Sequence, residues 1–366
     1  MAGYLLKRIL LIFPTVFGLM LITFAIVQLA PGGPMEKVMA QLSGTDVPAS
    51  ARLGGSGGDG ITSAQSQAGG GASGYRGAQG LDKEFIEQLN KQFGFDKPVH
   101  ERFFLMMKNY AMFDFGKSYY KDVSVLQLIK EKLPVSISLG IWMLLITYLV
   151  SIPLGIRKAV HDGERFDTWT STVLVLGYAI PGFLVAVFLL ILLAGGSFVQ
   201  WFPLRGLTSD NWSQLSLFGK VVDYFWHLVL PLFSIALAAF TTMTFLTRNC
   251  FLDEIRKQYV LTAQAKGLTQ TQVLYGHVFR NAMLLVIAGF PGAFIHAFFT
   301  GSLLIEHIFS LDGIGQLSFN SALDRDYPVV FANVFILGLL GVAINILSDF
   351  IYTLVDPRID FETREV

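Results

Sequence analysis

An all-α integral membrane protein with six transmembrane helices is what the sequence predicts, and three observations predict it. Of the 366 residues 53% are hydrophobic and only 15% charged, against about 25% charged in an ordinary soluble domain; mean hydropathy is +0.54. Apolar runs long enough to cross roughly 30 Å of hydrocarbon recur along the chain. Lys and Arg concentrate in alternate connecting segments, as the positive-inside rule requires. Formal net charge is zero, so no global field attracts nucleic acid, and Cys250 is the only cysteine, so no intrachain disulfide forms.

Lys7 and Arg8 precede the first span, Ile9 to Ala30, which is longer than the apolar core of a secretory signal. Pro31-Gly32-Gly33-Pro34 ends it without a small-residue cleavage pattern, so residues 1–30 read as an uncleaved span with its N-terminus inside. Residues 31–132 form a long extracytoplasmic insertion between helices 1 and 2. Its part from Gly44 to Gly80 is too rich in Gly, Ser, Ala and Gln to offset the entropy of ordering, and a mobile segment is expected. Residues 82–132 are different: Phe85, Ile86, Leu89 and Phe93, then Phe103, Phe104, Met107 and Tyr110, recur with helical period and predict a small helical cap.

The core, 133–354, holds five further spans: Leu133 to Ile156, Trp169 to Ala194, Trp226 to Leu246, Met283 to Leu304 and Val329 to Leu354; residues 355–366 are a tail. Pro153, Pro181, Pro231 and Pro291 lie within or at the ends of spans, where freed carbonyls need cover from neighbouring helices. With the N-terminus inside, Arg157, Lys158, Arg165, Arg248, Arg256, Lys257, Lys266, Arg280, Arg358 and Arg364 fall inside as well, while the short outer loops hold only Arg205, Lys220 and Arg325. Both termini and the polar stretch Asp253 to Asn281 are therefore expected in the cytoplasm.

That stretch reads as two short helices. Ile255, Tyr259, Val260 and Ala263 share one face, Lys266 and Gly267 end the first helix, and Thr269 with Gln272 are spaced as a capping box for a second, whose apolar face is Val273, Leu274, His277 and Val278. A plain loop or a DNA-reading helix-turn-helix shares this outline, but the net charge over the stretch is small. A membrane protein needs a folded knob of this kind where something outside the membrane grips it.

Tyr259-Val260-x-Thr262-Ala263-x-Ala265-Lys266-Gly267, followed by His277 and Arg280-Asn281-Ala282, resembles the coupling loop of permease subunits of ATP-binding-cassette (ABC) importers, in the dipeptide and oligopeptide branch. Leu261-Thr262-Ala263 replaces the acidic start of the general importer pattern, a departure the peptide branch shares. Gly94-Phe95-Asp96-Lys97-Pro98, Asp114 to Ser118, Thr300 to Glu306 with Phe309 and Gly313-Ile314-Gly315, and Asp356-Pro357-Arg358 are similar to further segments of that family. The Gly-rich insert sets the chain apart from a generic dipeptide permease.

The resemblance implies a type I ABC importer permease fold in the bacterial inner membrane, with Tyr259, Thr262, Ala263, Ala265, Lys266, Gly267 and His277 coupling it to a cytoplasmic ATPase. It also implies a second, homologous permease, two nucleotide-binding domains that carry ATP and Mg, and a periplasmic peptide-binding protein. This chain is expected to bind no cofactor or metal and to have no catalytic residue: Gly116-Lys117-Ser118 lacks the first P-loop glycine, and no H-E-x-x-H or paired-Cys motif occurs. Ionisable and polar groups within spans are costly and mark candidate paths. His296 and Thr300 share a face in the fifth span, and Thr241 and Thr244 in the fourth either line the path or cover carbonyls. Asn345 and Asp349 are expected to bond between helices. Two other classes remain: an autonomous secondary transporter or channel, for which no inverted repeat is found, and an intramembrane protease, suggested only by G-x-S-G matches at Gly54 and Gly71 in the low-complexity insert.

Overall fold

A computed structural model describes residues 2–29, 96–121, 123–196, 198–299 and 303–355. The segment Gly44 to Gly80, the stripe Phe85 to Phe93, the Thr300-Gly301-Ser302 stretch and Asp356-Pro357-Arg358 lie outside the described residues. The helices are α1 (Ala2–Leu29), α2 (Val99–Ala111), α3 (Val125–Val160), α4 (Arg165–Ala179), α5 (Gly182–Leu193), α6 (Leu217–Ile255), α7 (Gln258–Ala265), α8 (Gln270–Val273), α9 (Phe279–Ala288), α10 (Phe290–Phe299), α11 (Leu303–Ile308), α12 (Ile314–Asp324) and α13 (Tyr327–Val355). Among the described residues there is no strand, only an isolated bridge between Lys117 and Ser124.

The chain divides into two compact units: Met1–Phe13 with Lys130–Leu317 and Leu337–Val366, and Pro14–Ile129 with Ser318–Ile336. In the second unit aromatic side chains do the packing. Phe103 meets Phe17 and Phe24 edge-on at 5.5 and 5.3 Å, and Tyr110 meets Phe115 and Phe335 at 4.9 and 5.5 Å. Gly116-Lys117-Ser118 folds as a turn in which the Ser118 hydroxyl donates to Asp326, and Asp326 Oδ1 also accepts from the Tyr119 N–H at 3.0 Å.

The first unit is built around α6, which packs against α4, α5, α9 and α11. At 39 residues it is about 58 Å long, well beyond the hydrocarbon thickness. Leu139, Met143, Ala186, Leu228, Leu232, Ile305, Phe309 and Leu311 form one core along it. Ile156, Ala159, Met243 and Phe251 begin a second core near its C-terminal end. Where α3 crosses α6, Ser151 Oγ donates to the Phe240 carbonyl at 3.1 Å. One turn on, Gly155 lets the backbones meet: a Cβ there would stand 2.7 Å from Thr247 Cβ and 2.8 Å from the Thr244 carbonyl. Glu306, wholly buried, accepts from Ser136 Oγ at 3.0 Å and from the Gln316 N–H at 2.8 Å, which seats the first turn of α12. Asp349 pairs with Arg8 at 2.8 Å, a contact between helices as expected.

The expected spans are corrected at two places. Among the described residues four helices are long and apolar enough to cross a membrane, Lys7–Leu29, Val125–Val160, Leu217–Ile255 and Tyr327–Phe350, and a bent pair raises the number to five. That pair is the expected third span, 169–194: α4 and α5 meet at 92°. Ile180 is driven to the extended region (φ −91, ψ 122) by the proline that follows it, and Pro181 then starts α5. Hydropathy alone reads straight through this corner because both arms are apolar. The expected fifth span, 283–304, is likewise no single helix but α9, α10 and the start of α11, each 10 residues or shorter.

The crossing at Gly155 yields a test. Gly155→Ala forces α3 and α6 apart and should cost about 1–3 kcal/mol, whereas Gly18→Ala, with nothing within 4 Å of its Cβ, should change stability by less than about 0.5 kcal/mol. Thermal unfolding of the two detergent-purified variants checks this; equal midpoints would refute the tight crossing.

Candidate docking loop and translocation cavity

Between α6 and α9 the chain builds two short helices with little slack. Ile255 is the last residue of α6 rather than the first of the loop helix, Arg256 caps α6, and Lys257 (φ −75, ψ 151) is the N-cap of α7. Glu254 holds the junction: it pairs with Lys257 and accepts from the Tyr259 hydroxyl at 2.8 Å. Asn281 Nδ2 reaches the same hydroxyl at 3.4 Å. Burial lifts the Tyr259 phenol above its ordinary pKa, Asn281 opposes this and Glu254 adds to it, so the phenol keeps its proton and remains the donor.

The first helix stops where the sequence places its end. Gly267 adopts φ +87, its N–H bonds to the Gln264 carbonyl at 2.9 Å, and the Leu268 N–H returns to the Ala263 carbonyl at 3.3 Å. These two bonds are those of a Schellman motif, which favours glycine at the left-handed position. The second helix starts on the expected capping box: the Thr269 hydroxyl accepts from the Gln272 N–H, and the Gln272 side chain accepts from the Thr269 N–H at 2.9 Å.

Its continuation is not a plain α-helix. Leu274–Val278 is a π-helical segment linking α8 to α9. Val273 and Val278 are both buried, five residues apart; on an α-helix such a pair diverges by about 140°, and the wider π turn brings both onto one face. Of the expected apolar face, Val273 and Val278 are buried and Leu274 is half-buried, while His277 is exposed and drops out of it. Val260, Ala263, Val273, Val278, Ala282 and Val286 complete the second core with Ile156 and Phe251.

The seven residues named for coupling therefore separate into two sets. Ala263 is buried in the core and Tyr259 is half-buried at the α6 junction, whereas Thr262, Ala265, Lys266, Gly267 and His277 are exposed. Ala263 cannot be part of an outer apolar face, since its Cβ already packs inward. The outer face has two large side chains that pattern reading passed over, Leu261 at 62% exposure and Tyr275 at 58%. Leu261 was legible: it follows the inward Val260 by one residue, and so by about 100° on the helix.

Alongside α6 lies a cavity of about 590 Å³ whose lining includes Thr147, Tyr148, Tyr178, Phe183, Ser234 and Thr242. Thr241 and Thr244 do not line it. Thr241 Oγ1 donates to the Leu174 and Leu237 carbonyls at 3.2 and 3.0 Å, and Thr244 Oγ1 to the Phe240 carbonyl at 2.8 Å. Of the two roles open to these threonines, the structure assigns carbonyl cover. His296 lies on α10 with its side chain outside the described set, and Thr300 is outside the described residues altogether.

Residues 151–361 match the family described as binding-protein-dependent transport system inner membrane component. The chain is 60% identical, over the full length of both proteins, to the "Peptidoglycan transport system permease protein YejB" of Agrobacterium fabrum. It is 53% identical, again over the full length of both, to the "Inner membrane ABC transporter permease protein YejB" of Escherichia coli O157:H7. The "Oligopeptide transport system permease protein AppB" of Bacillus subtilis is 31% identical over 99% of this chain and 100% of its own. With the family match spanning more than half of its residues and full-length relatives at this identity, the chain belongs to the inner membrane permease components of binding-protein-dependent ABC transport systems.

Proposed function

We propose that this chain is one of two permease subunits of an ATP-driven importer for oligopeptides or peptide-like compounds. The single observation that carries the coupling role is the two-sided helix pair 258–288: one side is buried in the chain's own bundle, which leaves Leu261, Thr262, Lys266, Tyr275 and His277 presented outward. A partner ATPase, carrying ATP and Mg, grips this outer face, and a homologous permease closes the open side of the cavity. A periplasmic binding protein delivers the substrate to the opposite end. The peptide class is the one that the relatives' names share. Lys and Arg placement supports a cytoplasmic side for both termini and the helix pair. An apolar-walled cavity with a few hydroxyls suits a path that must release its cargo, because strong, specific bonds to side chains would hold it.

Gly267→Val incurs strain of about 1–3 kcal/mol at a left-handed position, enough to skew the helix pair without unfolding the bundle. The variant should reach the membrane in normal amount and lose ATPase co-purification or uptake. Wild-type values for both would make Gly267 an ordinary loop residue.

Leu261→Asp and Ala263→Asp should fail differently. The first alters only the outer face, so it keeps membrane abundance and loses the ATPase; the second buries a carboxylate in the core and loses abundance. Immunoblots of membranes beside pull-downs separate the two, and identical behaviour would contradict the two-sided arrangement.

Within the cavity, Thr242→Phe should lower uptake at least about fivefold by filling the path, whereas Thr241→Val should leave the ratio of uptake to membrane abundance near wild type. Initial uptake rates in whole cells decide, and an unaffected Thr242→Phe would remove the cavity from the path.

A further inference from the structure

A buried charge network joins α3, α4 and α6 at the end that bears the helix pair. Lys158, in the last turn of α3, is 0% exposed. Its Nζ pairs with Asp167 Oδ1 at 2.9 Å and donates to the Asp167 carbonyl, Thr170 Oγ1 and Ser171 Oγ at 2.9, 2.7 and 2.8 Å. Asp167, in the first turn of α4, also takes both arms of the Arg248 fork from α6: Nε to Oδ1 at 3.0 Å and Nη2 to Oδ2 at 2.7 Å. The same guanidinium reaches Asp162 Oδ1 in the α3–α4 turn at 2.5 Å, and Arg256, the cap of α6, holds the other Asp162 oxygen at 3.1 Å.

Stability alone is a poor reason for such a network. Removing an ammonium and a carboxylate from water costs several kcal/mol for each ion, and apolar packing of equal volume often stabilises as well. A two-pronged guanidinium–carboxylate contact adds fixed geometry. Here it fixes α4 to α6, seven residues before α6 gives way to Arg256 and α7. From Asp167, α4 runs to Tyr178 on the cavity wall and then to the 92° corner. At the other end α7 is tied to α6 through Glu254. The docking face and the cavity wall are thus connected through Arg248, with the Thr241–Leu174 bond joining the same two helices farther along.

We propose that Arg248 is a positioning residue of the transport cycle: its fork onto Asp167 makes α4 follow α6, so that displacement of the helix pair by a partner reaches the cavity wall at Tyr178. This rests on the permease reading above. The test uses the full transporter in nanodiscs, with Cys250 replaced by serine and nitroxide labels on Val173 of α4 and Asn249 of α6, both exposed. The distance between them is measured without nucleotide and after trapping with ADP and vanadate. With Arg248 present the two states should give one and the same distance; in Arg248→Gln they should differ by at least about 2 Å, the scale of a helix shift, with Arg248→Lys between. A distance that is independent of nucleotide in Arg248→Gln, or shifted equally in both states as a merely structural role would give, overturns the proposal. Should Arg248→Gln fail to reach the membrane, Arg248→Lys decides alone, and wild-type behaviour there overturns it. Failure of the parent chain to recruit an ATPase sinks the permease reading, and this inference with it.

Discussion

The docking loop depends on burying one face of two short helices against the bundle itself. An eight-residue helix and a four-residue one have no independent stability in water. They persist because Val260, Ala263, Val273 and Val278 close a core that Ile156, Ala159 and Phe251 begin, each buried valine contributing on the order of 1.5–3 kcal/mol. The outward side chains are then free of any folding duty. A surface of this kind can change without weakening its own support.

The bundle supplies support of a different kind. α6 is met by α3 at a glycine contact, by α4 through a threonine-to-carbonyl bond and the Arg248 fork, and by α9 through apolar packing. The threonine bond and the Arg248 fork satisfy their polar groups inside the protein, as hydrocarbon demands. The threonines of α6 illustrate the economy: Thr241, Thr242, Thr244 and Thr247 all bond a carbonyl one turn back, yet only Thr242 among them also faces the cavity.

How much of this could be read from the sequence followed the range of the forces involved. The end of α7 at Gly267 and the start of α8 at Thr269 were legible because both are local: a glycine for the left-handed turn, a threonine and a glutamine three residues apart. The corner at Pro181 was half legible. A proline was visible, but whether it kinks or breaks a span depends on what packs on either side of it. The exposure of His277 was missed because a five-residue π spacing defeats a 3.6-residue pattern, whereas the face shared by Val260 and Ala263 was visible and only its direction, set by packing against the bundle, was not. The Asp167–Arg248 pair was invisible, since 81 residues separate its members and each by itself reads only as a charge near a membrane edge.

The π segment has a consequence for how this chain can vary in length. Leu274–Val278 contains the equivalent of one residue more than an α-helix would need between its two buried valines. A gene that lost one codon here would still encode an unbroken helix, with every backbone bond made. The shorter segment would close to an α-helix in which the two valines stand four residues apart, about 40° from one another, so the buried face would survive. In an ordinary helix the loss of one residue turns one half by about 100° against the other. Here the wide turn already absorbs a residue, and what a deletion would remove is the outward bulge that carries Tyr275 and His277.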